Sequence, residues 1–209
     1  MASGRPTSVD DVFINCPFDP DYHAIFRAIV FCIYACGFRA RSAFELDDGG
    51  QTRIDKLYRL IEECRYGIHD ISRTELDPVY QLPRFNMPLE LGIFLGAKRY
   101  GGTHQSAKRV LIFDIERYRY QRFISDLSGI DIHAHQGDPE LAVMECRNWL
   151  ANVSRRILPS GEKIARLRQQ FLLDLPPLAE RLEFAVDSIP YVDYERIVAT
   201  WLVQAAPLE

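Results

Sequence analysis

The sequence predicts an α/β fold: a five-stranded, mostly parallel sheet covered by helices on both faces, with a C-terminal helical appendage. Three observations predict it. Short apolar runs alternate with segments of helical periodicity along residues 12–157. No apolar run reaches the ~18 residues of a membrane span. After Pro159 the alternation stops, and two helical patterns follow around Pro176-Pro177.

Strand one is the apolar run Val12-Phe13-Ile14-Asn15-Cys16, closed by Pro17. A helix follows, because Ile25, Phe26, Ile29, Val30, Ile33 and Tyr34 recur at spacings of three and four, and Gly37 stops it. Residues 38–44 alternate as strand two, and Asp47-Asp48-Gly49-Gly50 is a loop. Thr52 is placed to cap the next helix, whose stripe is Ile54, Leu57, Leu60 and Ile61. Strand three covers 66–71, a long loop 72–85, and a helix containing Glu90 comes next. Strand four is 109–115, residues 118–127 read as a short helix or turn, and strand five is 130–133. Asp138-Pro139 starts a helix running to about residue 157. Five such units suggest a flavodoxin-like, doubly wound order over residues 1–158, with residues 159–209 as a helical extension packed on it.

Composition narrows the function classes. In 209 residues, 47% hydrophobic and 26% charged, there is enough apolar material for one buried core plus a small extension. The net charge of −4 offers no basic footprint for nucleic acid. Residues 1–11 are polar and do not read as a secretory signal. Cys16, Cys32, Cys36, Cys64 and Cys146 are odd in number, form no CxxC and sit in apolar settings. They read as reduced thiols in a cytoplasmic protein.

In an open parallel sheet, ligands bind beyond the carboxyl ends of the strands. The segments after strands one, two and three converge there with the helix start at Asn86. Asp70 ends a strand and Glu90 stands at the head of the following helix, so both carboxylates are expected at one crevice. The plain role for Glu90 is a first-turn acid complementing the helix dipole, with Asn86 as cap. Against that, Glu90 shares its face with Ile93, Phe94 and Ala97, and an unpaired carboxylate on an apolar face is costly unless it has partners or a task. Gly92 and Gly96 would let this helix lie close to the sheet or meet a second copy of the chain.

Asp70 either caps the turn at Ser72 or handles a leaving group. Asn15, Cys16, Pro17 and Phe18 form the strand-one turn, where Phe18 and Tyr22 suit stacking of a flat ring and Asn15 a hydrogen bond to it. Arg41, Arg53 and Arg84 are candidates for phosphate, and Asp47 and Asp48 for ribose hydroxyls. His133 and His135 form an HxH without a third ligand, so no metal is assigned. The chain has no GxGxxG, no GxxxxGK[ST] and no Gly-x-Ser-x-Gly.

"VFINCPFDPDY", "GIHDIS" and "NMPLELGIFLGAK" together resemble the nucleoside 2-deoxyribosyltransferase-like proteins and the related TIR-like enzymes, over roughly residues 12–115. Both groups have a flavodoxin-like fold and cleave N-glycosidic bonds. The resemblance implies that Glu90, in Glu90-Leu91-Gly92, attacks the anomeric carbon, that Asp70 helps handle the nucleobase, and that Asn15 to Phe18 contact base or sugar. It implies a small-molecule partner (a nucleoside, a nucleotide or NAD) and no cofactor or metal. Phe85-Asn86-Met87-Pro88 stands where the transferases carry an acidic residue with a Gly-Thr step, which favours hydrolysis over transfer. The TIR-like side of the resemblance implies NAD cleavage in prokaryotic antiviral defence. Two other readings stay open: a deoxyribosyltransferase, and a non-catalytic nucleotide sensor or TIR-like adaptor.

Overall fold

The computed structural model describes residues 8–46 and 48–205, so Asp47 and residues 1–7 and 206–209 lie outside the description. Five parallel strands form one sheet: β1 (Ser8–Asn15), β2 (Arg39–Ser42), β3 (Cys64–Asp70), β4 (Arg109–Asp114) and β5 (His133–Ala134). Their order is β2-β1-β3-β4-β5, the flavodoxin-like arrangement. The chain reverses its winding between β1 and β3, and that switch point opens a crevice at the carboxyl edge.

Helices α1 (His23–Ala35), α2 (Arg53–Glu63), α3 (Asn86–Tyr100), the single turn α4 (Thr103–Ser106) and α5 (Pro139–Ser154) belong to the doubly wound unit. One core joins α1 and α5 to Val12, Ile14, Tyr66 and Ile68, while a second joins α2 and Phe94 to Phe13. Side chains alternate across a strand, so α1 and α5 cover one face and α2 and α3 the other.

Local chemistry explains the boundaries. Gly37, at φ +75°, ends α1: its N–H donates to Tyr34 O and that of Phe38 to Ile33 O, a pairing that needs a left-handed residue. Thr52 Oγ1 accepts from Asp55 N at 3.3 Å and starts α2 as expected. Residues 118–127 form two 3-10 turns, and β5 is shorter and later than expected.

The C-terminal part differs more. Helix α6 (Gly161–Arg181) runs unbroken through Pro176 and Pro177, which sequence reasoning took for a joint. Leu175 and Ala179, on either side of the pair, are both buried, so packing offsets the lost backbone donors. Helix α7 (Tyr191–Ala205) completes the layer. Phe171 and Trp201 are buried against Phe31, with Leu167 and Ile197 half-buried beside them. The result explains α1, which is apolar almost all round: it lies between the sheet and the α6–α7 layer.

Candidate functional site

Glu90 lies one turn into α3 and only 4% exposed, beyond the first turn where a helix dipole acts. Phe85 occupies the cap position with no side-chain cap bond, so Asn86 is the first helical residue and exposed, not the cap. Among the described residues, none hydrogen-bonds the Glu90 carboxylate. Burial pushes its pKa up to about 7, opposed by the Arg53 guanidinium at the start of α2. A carboxylate kept dry and half-protonated near neutrality is a setting found at catalytic groups.

The switch point beneath it is built by Asn15 at the end of β1. Asn15 Nδ2 donates to His69 Nδ1 and to Met87 O, both at 3.0 Å, pinning the first turn of α3 across β1 and β3. His69 is fully buried, and that burial, with Lys108 nearby, holds its pKa down to about 3. Its neutral ring therefore carries the proton on Nε2, which has no hydrogen-bond partner among the described residues. Asn15 thus positions α3, and only its buried Oδ1 is unpaired.

The close approach of α3 to the sheet comes from the strand. A Cβ at Gly67 would meet the Phe94 ring at 2.7 Å, whereas one at Gly92 or Gly96 would meet open space. The expected role of Gly92 and Gly96 in sheet packing is therefore corrected.

Asp70 sits differently from expectation. It follows Tyr66 and Ile68 on the face covered by α1 and α5, opposite the face carrying α3. Tyr22 Oη donates to Asp70 Oδ2 at 2.6 Å, Ser72 N donates to Oδ1 at 2.8 Å, and His135 Nε2 lies 3.0 Å from Oδ2 within ion-pair reach. Gly137 N donates to His135 Nδ1 at 2.9 Å, which leaves the ring proton on Nε2, toward Asp70. Asp70 is 0% exposed, so contact with a base would require Tyr22 or His135 to move. The two carboxylates reach the carboxyl edge from opposite faces of the sheet, with Asp70 closed off from solvent. Cys16 is the link, since both raise its thiol pKa after burial has done so. It is therefore a neutral thiol, and Tyr22, raised by burial and Asp70, a neutral phenol.

Of the remaining candidates, Pro17 is buried and Phe18 packs against Phe26 and Phe44 on the α1 face, away from Glu90. Arg53 is exposed and near Glu90. Arg84 is exposed on the loop before α3, where its charge acts on Asp77. Asp48 accepts from Gly50 N at 2.9 Å and shapes its own turn, and Asp47 lies outside the described residues. Arg41 does not face a ligand: it is buried and paired with Asp11, Glu45 and Glu63. His133 and His135 point apart, the former to Glu145 at 2.6 Å.

Two arginines at the edge escaped sequence reasoning. Arg119 donates to Asp114 Oδ1, Ser72 O and Thr74 Oγ1, tying the loop after β3 to the end of β4. Arg73 pairs with Asp19 at 2.5 Å and joins that loop to the strand-one turn. Both contacts span distant segments, and no local spacing marks them. Compared with family models, curated proteins and solved structures, the chain finds no match.

Proposed function

We propose that the chain hydrolyses the N-glycosidic bond of a nucleoside, nucleotide or NAD, with Glu90 as the carboxylate that meets the sugar. The observation that carries this reading is the setting of Glu90: buried, without a hydrogen-bond partner among the described residues, and titrating near pH 7 at the β1/β3 switch point. A sugar losing its base passes through an oxocarbenium-like state, which a desolvated carboxylate stabilises or captures as a glycosyl ester that water then opens. Arg53 supports Glu90 ionisation, and its exposed guanidinium would donate to a phosphate on the sugar. Asp70 serves as an anchor for Tyr22, Ser72 and His135 more readily than as a second catalytic acid.

The test is release of free base from nucleosides, nucleotides and NAD by the purified protein. Glu90→Gln should lower the rate at least about a hundredfold, or some 2.7 kcal/mol of barrier. The wild-type rate should rise with pH through about 7 and level off, since the ionised form is the working one. Tight binding without base release would instead support a nucleotide sensor. A Glu90→Gln rate equal to wild type would remove the carboxylate from the chemistry.

A further inference from the structure

On the α1 face, across the sheet from Glu90, a cleft of about 400 Å³ opens between the strand-one turn, α1 and residues 189–194. That volume lies in the range of small-molecule sites. Phe18, Phe26, Phe44 and Tyr191 supply its walls. Phe26 and Tyr191 are buried and pack against each other and against Phe44, with ring centroids 5.6–6.3 Å apart. Phe44 is left 49% exposed in this setting.

The polar groups of the cleft are unequal. Asp19 is already paired with Arg73. His23 is held toward its neutral form by burial and by Arg27. Arg27 stacks over the Tyr194 ring at 4.6 Å, and among the described residues no carboxylate lies within ion-pair distance of it. Its Nη2 is buried and makes no hydrogen bond among the described residues. A guanidinium stays charged at any working pH, and Asp187 acts on Arg27 only from beyond ion-pair distance, so the cleft holds a cation with no directly bonded counter-ion among the described residues.

We propose that this cleft binds a small planar aromatic anion, a ring bearing a carboxylate or a phosphate. The ring lies against Phe44 and Tyr191, and the anionic group meets Arg27. A neutral ring would leave the guanidinium without a direct ion-pair partner, and a bare anion would leave the aromatic walls unused. Ile189, Pro190 and Tyr191 close one side, so the site exists only with the C-terminal helices docked. The proposal is independent of the chemistry at Glu90.

Calorimetric titration of the full chain with phenyl phosphate and with benzoate tests it and separates the two anions, with phenol and inorganic phosphate as controls. Saturable binding of at least one aromatic anion is expected, with neither control binding. Arg27→Gln and Phe44→Ala should each weaken that binding at least tenfold, Arg27→Lys should weaken it less, and Glu90→Gln should leave it unchanged. Melting curves would confirm that each variant is folded, and Phe44→Ala keeps the test decisive if Arg27→Gln is not. No saturable binding, equal binding of phenol, or binding that survives loss of Phe44 and of the Arg27 charge would overturn the proposal, as would its loss in Glu90→Gln.

Discussion

At the residue scale, Glu90 ionises against the fold. Its pKa rises from 4.5 to about 7 on folding, so between those values the folded chain holds a proton that the unfolded chain has released. Stability contributed by the protonated group is present below about pH 4.5 and is lost as pH rises toward 7. At ~1.4 kcal/mol per pH unit the loss is no more than about 3.5 kcal/mol. Glu90→Gln should therefore melt higher than wild type at pH 8, and by less at pH 5. A dipole role predicts the opposite sign, a loss of roughly 0.3–1 kcal/mol. Melting curves at the two pH values decide. Asp70, unlike Glu90, is held by hydrogen-bond donors. Tyr22→Phe removes one donor from a fully buried carboxylate and should cost about 1–3 kcal/mol, read by denaturant unfolding. If Asp70 is an anchor, the variant should keep the wild-type pH profile of base release.

At the scale of elements, helix α3 is placed by what lies under it. Gly67 lets the Phe94 ring lie on β3, and Asn15 holds the Met87 carbonyl. Gly67→Ala should cost about 1–3 kcal/mol through the overpacked ring. Because Phe94 and Glu90 share one helical face, it should also slow base release more than its stability loss accounts for; unchanged turnover would detach Glu90 from this support. The sequence made α1, α2 and α3 legible through spacing, capping and Gly37, and it singled out Glu90 as the odd carboxylate on an apolar stripe. It could not show that Asp70 and Glu90 stand on opposite faces. That depends on Asp70 sharing a face with Ile68 while α3 crosses above Gly67 and His69, a matter of tertiary placement. The pairing of Asp70 with His135 spans the chain in the same way, and Pro176-Pro177 misled because burial of Leu175 and Ala179 outweighed propensity.

For the whole molecule, the α6–α7 layer and α1 form one packing unit. Phe171 meets Phe31 at 5.2 Å, Trp201 at 5.4 Å and Tyr194 at 6.0 Å between ring centroids. Phe171→Ala should cost about 3–5 kcal/mol, measured by chemical unfolding. The loss should appear as one cooperative transition, since a shared core cannot release the extension alone. The alternating pattern announced the sheet, and the helical spacing of Phe171 and Trp201 announced an apolar face. Which helix that face would cover was set by contacts far apart along the chain.

That arrangement has a consequence for how the protein is made. Helix α1 leaves the ribosome long before the side chains that cover its outer face, Phe171, Tyr194, Val198 and Trp201. Throughout elongation, a nascent chain with a finished β-α unit carries Phe31 and its neighbours uncovered. Contacts of such long sequence separation form late and leave apolar surface open to aggregation. Helices α6 and α7 are in this sense the chain's own late-arriving chaperone: a translation product ending before residue 161 would present, permanently, the sticky surface that a chain carrying both helices shows only while it is being born.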